Sequence, residues 1–172
     1  MTNLSKSPNT GNVRSNYVIR ELCDGDLEYI ADNLRSADAR ELNAVYGATD
    51  YADRLSVSAA YSQQLFICEA DGKPLAVYGM AHTSGHDAVI WCCATRAISR
   101  FRLSFAKEAR AVIFRWFQEN PDLKALVNFT HVGNTANHRW LKSIGAEIAP
   151  SEPQAAKGEH FHFFTIGREA HV

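Results

Sequence analysis

The chain has no apolar run long enough to span a bilayer, which excludes a helical membrane protein. It has no excess of either charge: 18 Lys and Arg stand against 19 Asp and Glu, a net charge of −1. No global field draws it to nucleic acid or a membrane surface, so any such contact must come from a local patch. Cysteine is scarce. Cys23, Cys68, Cys92 and Cys93 form no CxxC and lie in or beside apolar runs, and they read as reduced, partly buried thiols of a cytosol-like compartment. Residues 1–15 hold no apolar run, which excludes a signal peptide and leaves a flexible polar arm. No internal repeat is visible.

What is present is a core. Of the 172 residues 46% are hydrophobic, enough for one ordinary domain without disulfides or metal. Tyr17 to Leu22 reads as a strand. Asp24 is placed to cap the next helix, with Leu27, Ile30, Ala31 and Leu34 at helical spacing. Ser36 is placed to cap a second helix that Gly47 ends, and Asp50 a third, whose Ser56–Ala60 portion reads as helix or loop. Leu65–Ala70, the turn Asp71-Gly72-Lys73 and Pro74–Ala81 make a hairpin, and the apolar run Ala88–Ala94 reads as a central strand. A long helix spans Leu103–Glu119, with Phe105, Ala109, Val112, Ile113, Trp116 and Phe117 on its buried stripe. Leu123–Thr130 is a strand, His131–Asn134 a loop, Thr135–Ile144 a helix closed by Gly145, and Ala146–Ile148 a strand. Pro150–Gly158 reads as loop and Glu159–Ile166 as a last strand. The expectation is an α+β domain over 16–167, a mixed central sheet of about seven strands flanked by four to five helices, with residues 168–172 frayed.

Candidate chemistry is sparse. The segment 96–115 carries Arg96, Arg100, Arg102, Lys107, Arg110 and Arg115 against Glu108. The last four basic residues read as a solvated helix face. Arg96 and Arg100 start the helix, where an anion is favoured. His131 is a candidate base because imidazole titrates near neutrality. The alternative is that Asn134 or Thr135 caps the helix while His131 bonds loop backbone. His131 and His138 lack a third metal ligand, so no metal site is expected. His160 and His162 alternate with Phe161 and Phe163 as a strand with one polar face would. Ser84, near His82 and His86, has no orienting acid. Trp91, Trp116 and Trp140 read as core or interface anchors.

Three segments resemble the GCN5-related N-acetyltransferase (GNAT) superfamily: Ile19-Arg20 with Asp26–Ile30, the Asp71-Gly72-Lys73 hairpin, and Asn134–Gly145. Val132–Ala146 and the strand ending at Thr95 are also similar to the GNAT-like internal virion protein of short-tailed phages. The resemblance covers about residues 17–167 and implies a GNAT-like fold. In active relatives a loop of pattern Q/R-x-x-G-x-G/A lets backbone amides approach the pyrophosphate of acetyl-CoA. Here Arg96 matches its first position, but Ser99 and Phe101 stand where the glycines belong. Many relatives carry a Tyr seven residues after the Asn as general acid, where this chain has Leu141. Many also use a strand-four Glu as base, and Val89–Ala94 has no carboxylate.

Two functions follow. The first is a GNAT-fold phage protein without efficient catalysis, acting in virion assembly or genome ejection with virion or host proteins. It would be found in the virion interior or host cytoplasm, with no cofactor. Its surfaces would be the basic helix start, the polar arm and the edge of the last hairpin. Nucleic-acid binding is not indicated beyond that basic patch, and a small modulator of a host enzyme would use the same surfaces. The second is an acetyl-CoA-dependent N-acetyltransferase with a degenerate phosphate loop. Arg96, Ser99, Arg100 and Asn134 would then contact the cofactor, and His131 and Asn134 are the catalytic candidates.

Overall fold

A computed structural model describes residues 17–47, 50–83, 85–153 and 158–170. The elements follow as β1 (Tyr17–Arg20), α1 (Asp26–Asp32), α2 (Ser36–Tyr46), α3 (Tyr51–Ala60), β2 (Gln64–Ala70), β3 (Lys73–His82) and β4 (Asp87–Ala94). Then come a 3₁₀ turn (Arg96–Phe101), α4 (Arg102–Glu119), β5 (Ala125–His131), α5 (Thr135–Ser143), β6 (Glu147–Pro153), β7 (His160–Gly167) and a closing 3₁₀ turn (Arg168–Ala170). The strands form one sheet in the order β1-β2-β3-β4-β5-β7-β6. β4 and β5 are parallel, and the other described neighbours are antiparallel. This is the α+β architecture with a mixed seven-stranded sheet that the sequence implies.

Strand alternation divides the core. Cys68, Ala76, Tyr78, Ile90 and Ala94 face α4 and α5, where Phe105, Val112, Trp116, Phe117, Leu141 and Ile144 cover them. Ile67 and Val77 face α1 and α3 and meet Ile30, Leu34 and Leu55, with Trp91 and Cys93 packed alongside. The adjacent cysteines 92 and 93 thus point to opposite faces, while Cys23 is exposed rather than partly buried. The β2–β3 turn has Asp71 at φ 52° and Gly72 at φ 74°, the two left-handed residues of a tight hairpin that twists with its strands.

Several local expectations are corrected. Helix α1 is not capped by Asp24: Gly25, at φ 85°, precedes it without a side-chain cap. Asp26 instead turns inward and accepts from Arg20 at 2.6 and 2.9 Å and from the Cys23 amide at 2.7 Å. Ser36 is the first residue of α2, not its cap. Asp50 does cap α3, accepting from the Asp53 amide, and Ser56–Ala60 is helical. β6 runs on through Pro150 instead of ending at Ile148. A register shift against β7 between Ile148 and Ser151 accommodates a residue with no ladder donor. Arg168 is not frayed: its guanidinium bonds the carbonyls of Phe117, Asn120 and Leu123 and lies 5.2 Å from the Phe117 ring centroid. The proposed arm at 1–15 and residues 171–172 lie outside the described residues.

The Asp26–Arg20 pair gives a stability test. The guanidinium holds the Asp26 carboxyl below its ordinary range, with the Cys23 amide assisting against burial. A depressed folded-state value adds stability above the unfolded-state value, and that stability is lost as pH falls through the folded one. Asp26→Asn is expected to lose about 2–3 kcal/mol at neutral pH in urea unfolding, since a charge-assisted bond goes. Its loss relative to the unaltered chain should shrink as both are acidified.

Candidate active site in the parted strands

β4 and β5 pair through only three positions, Asp87 with Ala125, Ala88 with Leu126 and Val89 with Val127. Beyond them the strands diverge, and the freed backbone groups need other partners. The Ile90 carbonyl accepts from the Asn128 side chain at 2.6 Å. The Ala94 amide donates to Asp38 at 2.8 Å, and the Ala94 carbonyl accepts from the Arg35 amide at 2.9 Å. On β5, the His131 amide donates to Glu41 at 2.8 Å. Strand alternation points the N–H and C=O of Cys92 into the same gap, between Ile90 and Ala94 and beyond the last β4–β5 pair, where no described group bonds them.

The gap opens into a cavity of about 390 Å³, within the roughly 300–1,000 Å³ of ligand pockets. Asp38, Glu41, Val45 and Tyr46 of α2 line one end, and Phe105, Ala109, Trp116, Trp140 and Leu141 line the other. Phe105 and Trp140 stack at 5.5 Å between α4 and α5, and Arg110 joins the two helices by donating to the Ser143 carbonyl. Arg110 therefore does more than solvate the helix face.

Glu41 is the site residue that sequence reading missed. Its Oε1 accepts from Thr130 at 3.2 Å, the His131 amide at 2.8 Å and Asn134 Nδ2 at 3.1 Å, and Oε2 takes part in none of these bonds. Burial pushes its carboxyl above the ordinary glutamate range, opposed by the three donors and reinforced by Asp38 one turn earlier. A carboxylate with a raised pKa in a cavity suits a general base. The absence of an acid in Val89–Ala94 is thus met from α2. Sequence offers no signal for this, because Glu41 reads as the polar side of an amphipathic helix.

The residues proposed from sequence fall elsewhere. Asn134 is buried, caps α5 by accepting from the Asn137 amide at 3.2 Å, and donates to Glu41. His131 is buried and accepts at Nδ1 from the Gly133 amide at 3.0 Å. A neutral ring then carries its proton on Nε2, which faces Glu159 at 3.0 Å. Neither lines the cavity; both stand behind Glu41. The capping role and the loop-backbone bond are those set out as the alternative to catalysis. His138 bonds the His131 carbonyl at 3.0 Å and lies against His162. The polar-face reading of β7 does not hold, since His162 shares its face with the buried Phe164 and Ile166 on the α5 side. Ser84 lies outside the described residues.

Arg96, Ser99 and Arg100 are exposed and do not reach the cavity. Their segment is a 3₁₀ turn, not an open loop. The Arg96 amide donates to the Asn33 carbonyl and the Ile98 amide to Thr95, Ser99 turns its hydroxyl to the Arg96 carbonyl, and no residue of the turn has positive φ. Amides spent in this way do not fit a pyrophosphate cradle.

No family model matches the chain, and no curated protein matches it in sequence. Solved structures do match in shape. A GNAT-family acetyltransferase from Bacillus anthracis superposes with TM-score 0.66 at 14% identity, over 89% of this chain and 95% of that one. The chain has the GNAT fold. A ribosomal-protein-alanine N-acetyltransferase from Brucella melitensis gives 0.61 at 14%, over 86% and 98%. The aminoglycoside acetyltransferase AAC(6')-Ib, solved with coenzyme A, gives 0.62 at 17%, over 90% and 96%. At these identities the likeness is one of fold. The expectation that no cofactor is used finds no support among these GNAT structures.

Glu41 can be tested without a substrate. A carboxyl raised in the folded state loses stability as pH rises from its unfolded value past its folded one. Glu41→Gln should therefore unfold at higher urea than the unaltered chain at about pH 8, with the difference closing near about pH 4.

Proposed function

We propose that this protein is an N-acyltransferase that moves an acyl group from a thioester to a primary amine. One observation carries the reading: the raised-pKa carboxylate of Glu41 shares the β4–β5 cavity with the spare backbone amide of Cys92. A bound acyl thioester, linked to coenzyme A as the GNAT fold suggests, supplies a carbonyl carbon open to attack and a thiol that departs. The gap between β4 and β5 is suited to its thioester arm. The Cys92 N–H is placed to donate to the carbonyl oxygen as negative charge gathers there. Glu41, held at Oε1 by Thr130, His131 and Asn134, takes a proton from the entering ammonium.

The balance is simple. The C–N bond forms, the C–S bond breaks, and the ammonium gives up two protons, one to the departing sulfur and one to solvent. Leu141, buried on the cavity wall, cannot supply the first of these; Glu41 lines the same cavity and, once protonated, can return the proton to the departing sulfur. The half-exposed Val45, Tyr46 and Phe129 rim the Glu41 end. They suit an alkylammonium on an apolar or aromatic body. For phosphates the exposed guanidiniums of Arg96 and Arg100 remain, and no step depends on them. Nothing in the geometry favours the virion role or the host-enzyme modulator over this chemistry.

The test is amine-dependent thiol release from acetyl-CoA, with tyramine as acceptor. The unaltered chain should release thiol only when amine is present, with kcat/KM rising with pH through the Glu41 titration. Glu41→Gln should lower kcat/KM by about 10²–10³ and flatten that rise. No amine-dependent release, together with no heat of acetyl-CoA binding in calorimetry, overturns the reading.

A further inference from the structure

A thioester must be delivered to the gap on some carrier, and the surface at the α4–α5 end of the cavity bears on which. Phe105 of α4 and Trp140 of α5 line that end. The exposed side chains near this pair are basic. Arg96 and Arg100 of the 3₁₀ turn, Arg102 and Lys107 of α4, and Arg139 and Lys142 of α5 are all exposed, and none is in an ion pair with a described residue. Neither the turn nor α5 contains an acid. Glu108, the one acid of residues 102–110, is partly buried and lines the cavity. A chain of net charge −1 thus presents a face of one sign here.

These charges do not converge on a point. They run from the turn onto two helices, and α5 alone, with nine residues, is about 13 Å long. A diphosphate needs a compact cradle, whereas the Arg96 and Ile98 amides of the turn are already bonded to Asn33 and Thr95. Leu103 stands among the basic residues and is 80% exposed, the most of any described large hydrophobic side chain. It shares a face of α4 with Lys107, four residues on, and with the half-exposed Phe114, three turns on. Apolar side chains in a basic field suit an acidic protein surface. The phosphates of a nucleotide or a nucleic acid give Leu103 no apolar partner.

We propose that the acyl donor is the phosphopantetheine arm of an acidic acyl carrier protein, docked on the α4–α5 face with Leu103 in the interface. The proposal rests on the acyl-transfer reading and adds the carrier of the donor. The arm enters at Phe105 and Trp140, its single phosphodiester stays at the surface beside the guanidiniums, and its thioester reaches the gap between Cys92 and Glu41. The C–N bond forms at the amine, the C–S bond breaks, and the thiol, with its proton, remains on the carrier's arm. Coenzyme A bears the same arm and serves as a poorer donor.

The test compares acetyl groups carried by a bacterial fatty-acid carrier protein, by coenzyme A and by pantetheine, each with tyramine as acceptor. Mass spectrometry of the carrier reads its loss of acetyl, and thiol release reads the other two. The carrier thioester should show kcat/KM at least about tenfold above acetyl-CoA, through a lower KM. Added salt should erode that advantage, as it does for steering between opposite charges. Arg102→Glu combined with Lys107→Glu should lower kcat/KM for the carrier about tenfold or more and leave acetyl-pantetheine unchanged. Leu103→Asp should act in the same direction, and thermal unfolding of both variants separates misfolding from lost docking. Turnover of acetyl-CoA equal to or better than that of the carrier overturns the docking surface and leaves acyl transfer standing. A charge-reversal loss that falls equally on acetyl-CoA marks a nucleotide phosphate site and overturns it too. Tighter calorimetric binding of a short RNA than of the charged carrier overturns it in favour of nucleic acid. Carrier binding that charge reversal abolishes, without turnover of any thioester, supports the docking surface and removes the transfer reading.

Discussion

The parting of β4 and β5 is the constraint that the rest of the molecule answers. A parallel pair that stops after three positions exposes amides and carbonyls in the middle of a core. Each left unmet costs about 1–3 kcal/mol. The protein replaces the lost ladder piecemeal. Asn128 serves Ile90, Asp38 and the Arg35 amide serve Ala94, and Glu41 serves His131. Helix α2 sits where it does because two of those substitutes are on it. The linker before α2 joins in, with Leu34 bridging Thr95. What is left over after this accounting is Cys92, and its position marks where a ligand can be gripped by the backbone.

The same accounting explains the odd state of Glu41. It was brought inward to satisfy an amide at the end of β5, and burial then raised its pKa. Asn134 and Thr130 hold one of its oxygens, so a structural duty and a chemical one fall on different atoms of one carboxylate. Moving the acid from a strand to a helix on the opposite flank also frees the gap-lining positions of β4 to be small or apolar. The 3₁₀ turn at Arg96–Phe101 follows from the same closure: with the Arg96 amide bonded to Asn33, the chain leaving β4 is tied to the α1–α2 linker and winds tightly into α4.

Much of the fold was legible because it is written in local periodicity. The hairpin at Asp71-Gly72, the apolar β4, the stripe of α4 and the Asn134-to-Gly145 helix all carry their signals within a few residues. Helix starts were less legible. Asp24 and Ser36 have capping chemistry, but Asp26 found a stronger partner in Arg20 across the loop and Asp38 in Arg35. Pro150 argued for a loop, yet an irregular edge strand tolerates a missing donor. The site was the least legible part. Glu41 and His131 meet across 90 residues, and nothing in either neighbourhood announces the other. His131 is singled out by its place at the end of β5 and Asn134 by the motif it opens, and both stand behind Glu41, which has no such local mark.

The cysteines carry a consequence of a practical kind. Burial pushes the Cys68 thiol up to about 11 and the Cys92 thiol up to about 12, and Cys93 is raised as well. Thiolate is the reactive form, so these three are nearly inert toward electrophiles at neutral pH. Cys23 alone is exposed, on the loop between β1 and α1. Its side chain is not one of those that line the cavity. The native sequence therefore offers one addressable sulfur, where a dye or spin label can be attached without engineering and without entering the cavity.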